Sequence, residues 1–165
     1  SQNYAAALQR HHTYGPPDDW AEGYVSAYAT CHPWEDFAET WAHYLHIVDT
    51  LETASVFGLR LSPHFRNKTA PTVAIDFDPH QSPDLDRMVE AWLPLTYAIN
   101  SLSRSMGQPA LYPFKLTPAV IAKLSFIHER IDAVQGHAQS QDEAGADILK
   151  AVITGLRQRV AAPNV

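Results

Sequence analysis

One cysteine in 165 residues, Cys31, removes two kinds of chemistry at the outset. No disulfide can close within the chain, and no cluster of thiolates can hold a metal. The scarcity fits a reducing compartment, and Cys31 reads as a half-buried structural thiol rather than a nucleophile. Positive charge is also thin: 12 Lys and Arg against 18 Asp and Glu give a net charge of −6. Those cations are scattered along the chain, which sets nucleic acid aside as a partner. No uninterrupted apolar run approaches the roughly 18 residues of a membrane span. No basic start leads into an apolar stretch. The expectation is a cytoplasmic protein with no membrane partner. Internal repeats and low-complexity tracts are missing too.

What remains is ordinary globular composition. Apolar residues make up 45% and charged residues 18% of the chain, enough to bury a core. The whole of 1–165 reads as a single, mainly α domain.

The pattern along the chain predicts where helices begin and end. Gln2 to His12 is helical in composition and meets a breaker at Tyr14-Gly15-Pro16-Pro17. Asp18-Asp19-Trp20 opens another turn leading to Tyr24 through Tyr28. The clearest element starts at Pro33: Trp34, Phe37, Ala38, Trp41, Leu45, Val48 and Leu51 recur at three and four residues, an amphipathic helix. Pro33 suits its first position, Glu35 and Asp36 suit its positive end, and Gly58 is its expected stop. Residues 59–81 are irregular, with Thr72 to Phe77 as a short strand or extended arm. Ser82-Pro83-Asp84 caps a helix running to about Ser105, kinked at Pro94. A loop from Gly107 to Lys115 follows. Thr117-Pro118 starts a helix ending near Gly136. A linker over 138–143 precedes a last helix through Ile148, Leu149, Val152, Ile153 and Leu156.

Chemistry concentrates on the helix after Pro33. At about 100° per residue, Glu35, Glu39, His43 and His46 fall in a stripe roughly 80° wide, opposite the aromatic set. Carboxylates and imidazoles both ligate zinc, and both serve as hydrogen-bond partners of other ligands. A solvated face with Glu-to-His pairs one turn apart produces the same stripe, so these residues alone leave both readings open. The aromatic side reads as core. Asp76-Phe77-Asp78-Pro79-His80 reads as a turn with Asx-type hydrogen bonds rather than a metal site. His11-His12 reads as a pair of exposed histidines, and His64 and His128 have no partner assignable from sequence. Asn100 and Arg104 are read as helix-capping or bridging residues.

Longer strings carry a resemblance. The run from Tyr28 to Ala42, with its Glu35-Asp36-Phe37-Ala38-Glu39 core, resembles the third-ligand segment of gluzincin-like peptidases such as the lethal-factor-type toxins. Together with Tyr14-Gly15-Pro16-Pro17, His32 through His46 and Trp92 through Asn100, it resembles a bacterial family of zinc-binding metallopeptidases. Members of that family typically carry a zinc ribbon and then an H-E-x-x-H helix. The resemblance implies a helical C-terminal subdomain of a zincin-like hydrolase. It implies Glu35 as a zinc ligand, Glu39 as an acceptor for a ligand histidine, and Tyr28 as a stabiliser of the oxyanion. The implied reaction is hydrolysis of a peptide or protein substrate by zinc-activated water.

The sequence departs from that pattern in two respects. It contains no H-E-x-x-H, nor any His pair four residues apart; His128-Glu129 is followed by Asp132 where the second histidine belongs. The four-cysteine ribbon is absent as well. The chain also opens at Ser1 without methionine. The expectation is therefore a polypeptide that starts after both motifs, inactive alone, without tightly bound Zn2+, and prone to self-association. The rival expectation is a non-catalytic helical interaction module that uses the Glu/His stripe as a partner surface.

Overall fold

The structure is a computed structural model and describes residues 3–65, 68–69, 72–81 and 84–135. Residues 1–128 form one compact unit and 129–165 a second. The expected linker and last helix lie outside the described residues. Where the chain is described it is mainly α.

Helix α1 (Tyr4–Tyr14) begins where the Asn3 side chain accepts a hydrogen bond from the Ala6 N–H, and ends at Gly15. Gly15 sits at φ 74°, a left-handed conformation that favours glycine. Its N–H closes on the His11 carbonyl. The turn expected after Asp19 is α2 (Trp20–Gly23), a single turn, and a 3-10 turn follows at Tyr28–Thr30.

Helix α3 (Pro33–Val56) is the axis of the fold. His32 caps it: Nδ1 accepts the Trp34 N–H at 3.1 Å, with Pro33 in the first turn. Gly58, at φ 61°, lets the chain turn back so that the Leu59 N–H reaches the Ala54 carbonyl.

The face that α3 buries differs from the expected one. Its buried residues are Thr40, His43, Tyr44, Ile47, Val48, Leu51 and Ala54. Of the expected apolar face only Val48 and Leu51 are buried; Trp34 is 71% and Phe37 55% exposed. At about 100° per residue, Thr40, Tyr44, Ile47 and Leu51 define the core direction. Glu35, Glu39 and His46 stand about 100–140° to one side, and Trp34, Trp41 and Leu45 about 100–140° to the other. The core thus lies between the two stripes recognised in the sequence. The large aromatic rings drew the assignment outward, while the residues that pack include Thr40 and Tyr44.

Among the described residues of the irregular stretch lie four two-residue strands. β1 (Arg60–Leu61) pairs antiparallel with β4 (Val73–Ala74), and β2 (His64–Phe65) with β3 (Lys68–Thr69). The Asx turn is present: the His80 N–H bonds Asp78 Oδ1 at 2.9 Å, within a 3-10 turn at Pro79–Gln81.

Helix α4 (Leu85–Ser105) is capped by Asp84, whose Oδ1 accepts the Arg87 N–H. The cap is therefore Asp84, and Ser82 and Pro83 lie outside the described residues. Pro94 is accommodated inside the helix, where the Thr96 hydroxyl donates to the Trp92 and Leu93 carbonyls. Residues 118–135 form α5, opened as expected by Thr117, whose hydroxyl accepts from the Val120 N–H and donates to the Glu22 carbonyl.

The core of the first unit gathers Ile47, Val48 and Leu51 from α3 with Met88 and Leu95 from α4. Val120, Leu124 and Ile127 of α5 and Ile75 beside β4 complete it; all are at most 2% exposed. At about 1.5–3 kcal/mol for each fully buried aliphatic side chain, this cluster holds the C-terminal half of α3 in place.

Candidate metal-ligand face

Glu35 sits in the first turn of α3 and is half-buried. Its Oε1 accepts a hydrogen bond from the Tyr4 hydroxyl at 2.5 Å, a contact spanning 31 residues. The anionic acceptor pushes the Tyr4 phenol up to about 12, and the Tyr28 hydroxyl beside it adds a smaller push. The Tyr4 ring is held in turn, T-shaped against His32 at 5.2 Å and tilted over Trp34 at 5.8 Å. Tyr28 is 38% exposed and meets the His11 ring edge-on at 5.9 Å. Glu35 and Tyr28, expected to act together, thus share a neighbour in Tyr4.

Glu39, one turn along, accepts from the Ser26 hydroxyl at 2.8 Å through Oε2. Ser26 also accepts the Ala29 N–H, which ties Glu39 to the turn that carries Tyr28. Cys31 is buried, and burial first and the Glu35 charge second push its thiol up. A thiol so placed is inert, as expected.

The Glu/His stripe does not present its four members together. His43 is 4% exposed. Its Nδ1 lies 2.8 Å from the Tyr112 hydroxyl, and its ring packs on Phe114 at 4.5 Å. Burial lowers the His43 pKa, the neighbouring His46 lowers it further, and Glu39 pulls it back up. Burial raises the Tyr112 phenol. The phenol and Nδ1 share one hydrogen bond whose direction is set by the imidazole tautomer. His46 stays exposed on the rim of a hollow with Asp49, Trp92 and Tyr112.

Two residues missed or left unplaced in the sequence reading prove structural. Tyr4 had no signal, because its partner Glu35 lies 31 residues away. His128, buried, meets the Tyr44 hydroxyl through Nδ1 at 3.0 Å. Asn100, assigned to bridging, clamps Tyr112: its Nδ2 donates to the Tyr112 carbonyl at 2.7 Å and its Oδ1 accepts the Tyr112 N–H at 2.9 Å.

Among the described residues no group of three or more His, Cys, Asp or Glu side chains converges as a metal site. Among the described residues Glu35 offers one carboxylate on this face, and no complete donor set accompanies it. Residues 1–130 match the protein family described as "Putative zinc-binding metallo-peptidase". The chain belongs to this family. Three relatives, uncharacterized proteins of Mycobacterium bovis and of two strains of Mycobacterium tuberculosis, are each 44% identical over 133 residues. The match covers 80% of this chain and 36% of each relative. The chain therefore spans about a third of the length of the curated relatives it matches. No solved structure matches it. Among the described residues no helix is long and apolar enough to cross a membrane.

Proposed function

We propose that this chain supplies Glu35 as the third zinc ligand of a metallopeptidase whose two histidine ligands and general-base glutamate lie in sequence outside these 165 residues. The observation that carries the reading is the Glu35 carboxylate itself. It stands in the first turn of α3, with one oxygen held by Tyr4, Tyr28 alongside and Glu39 one turn on. Bound zinc supplies a Lewis acid that polarises the scissile carbonyl and acidifies water. Glu35 adds an anionic oxygen donor to the ligand set. Glu39, anchored through Oε2 by Ser26, would accept the outer N–H of a ligand histidine and fix its orientation. The Tyr28 hydroxyl donates to the oxyanion that develops as the carbonyl of a peptide or protein substrate is attacked.

The test is Glu35→Gln in the longer protein that carries H-E-x-x-H. Loss of both bound zinc and peptide cleavage is expected, because the amide cannot replace an anionic donor. Full retention of either overturns the assignment.

A second reading, a non-catalytic interaction module, draws on exposed aromatic surface. Phe37 and Phe126, both more than half exposed, flank a hollow of about 330 Å³ on the other side of α3. An in-frame H-E-x-x-H upstream of the Ser1 codon in the source genome favours the peptidase. A start codon at or just before Ser1 favours the module.

A further inference from the structure

We propose that Tyr4 is the positioning residue for Glu35: its phenol fixes the Glu35 carboxylate in one rotamer and leaves Oε2 as the oxygen open to a cation. The inference rests on Glu35 being the ligand, and adds to it a residue on a different helix. A glutamate on a helix surface has three rotatable bonds, and ordering them opposes metal binding. A hydrogen bond to a carboxylate is among the stronger of its kind, and this one is 2.5 Å long. Among the described residues Oε1 has this donor and Oε2 accepts no hydrogen bond.

Tyr4 can hold another side chain because it sits in the first turn of α1 and packs its ring into an aromatic cluster. Asn3 caps α1 immediately before it. Its ring packs against His32 at 5.2 Å and Trp34 at 5.8 Å, and those two rings touch each other at 5.1 Å. The His32 imidazole is pinned by its own bond to the Trp34 N–H. The start of α1 and the start of α3 are thus locked through one aromatic cluster, and the carboxylate is the polar tip of that lock. Groups that hydrogen-bond a metal ligand fix its direction before the metal arrives.

In the longer protein, Tyr4→Phe should weaken zinc affinity about 10- to 100-fold by chelator competition. Cleavage should fall at limiting zinc and recover at excess zinc, with melting of the zinc-free protein unchanged. Para-aminophenylalanine at position 4, which keeps a donor at the ring's end, should restore the affinity. In the 165-residue chain without metal, NMR should show the Glu35 side-chain methylene protons as distinct and rigid, merging in Y4F. Wild-type affinity in Y4F, or a Glu35 side chain equally mobile with and without the phenol, overturns the positioning role. If E35Q still loses zinc in that case, the ligand assignment stands without Tyr4. If E35Q keeps zinc, the ligand assignment itself fails.

Discussion

His43 and Tyr112 are 69 residues apart in the chain, and imidazole Nδ1 lies 2.8 Å from the phenol oxygen. The contact pins the loop between α4 and α5 to the middle of α3, just past the Glu35–Glu39 segment. It is reinforced from α4 by the two hydrogen bonds between Asn100 and the Tyr112 backbone.

Tyr112→Phe should lower stability by about 1–3 kcal/mol in urea unfolding, because it leaves a buried imidazole nitrogen without its hydrogen-bond partner. Asn100→Ala should cost a similar amount by stripping both partners from the Tyr112 backbone. The two effects should fall short of additive in the double variant, since both act on one loop. Full additivity would mean that the network does not work as a unit.

Acid should destabilise the fold through His43. Its folded pKa is lowered, chiefly by burial, below the ordinary 6.5 of the unfolded chain. Between those two values the unfolded state binds more protons, so stability rises with pH there. The contribution of neutral His43 is complete above about pH 6.5 and is lost as pH falls below it. The melting temperature should drop on acidification through this window, and His43→Gln should flatten that slope. An unchanged slope in the variant would place the titration elsewhere.

The aromatic stripe of α3 separates the two assignments of its core. If Trp34 and Phe37 were core residues, Trp34→Ser or Phe37→Ser would remove several kcal/mol. With both more than half exposed, Phe37→Ser should change stability by about 0.5 kcal/mol or less, and Trp34→Ser by about 1 kcal/mol through its ring contacts with Tyr4 and His32. The pair should also reduce any self-association seen by sedimentation at high concentration, because exposed apolar patches drive it. Strong destabilisation by either substitution would refute the packing described.

Lys123 joins three elements. Its Nζ pairs with both Asp36 oxygens at 2.7 and 2.8 Å, donates to the Gly23 carbonyl at 2.8 Å, and lies over the Tyr24 ring at 4.2 Å. Its side chain is one-third exposed, so solvent screens the ion pair. Lys123→Met should cost about 1–2 kcal/mol, more from the lost carbonyl partner than from charge. High salt should recover little of that loss.

Cys31 should resist thiol reagents in the folded chain, since the reactive thiolate is disfavoured by burial and by Glu35. Labelling that keeps pace with denatured protein would contradict the buried placement.

Much of this fold is legible locally. Pro33 after a capping His32, Gly58 and Gly15 at helix ends, Thr117 before Pro118 and the Asp78 turn all act within a few residues. Their hydrogen bonds close between near neighbours in the chain, so their residue types mark them in the sequence. The strings around Glu35 and Glu39 likewise carried the family, and the family is what residues 1–130 match.

What the sequence by itself determined is the helical class, most helix boundaries, the family and the presence of a carboxylate stripe on α3. Periodicity shows that a helix has two chemically distinct sides, but it does not say which direction faces the core. Only the tertiary structure placed Thr40, Tyr44 and Ile47 inward, turned His43 away from Glu35 toward Tyr112, and brought Tyr4 onto Glu35. The physical reason is that burial is shared. Whether an aromatic ring or an imidazole is covered depends on what α4, α5 and the 107–117 loop bring against it from many residues away.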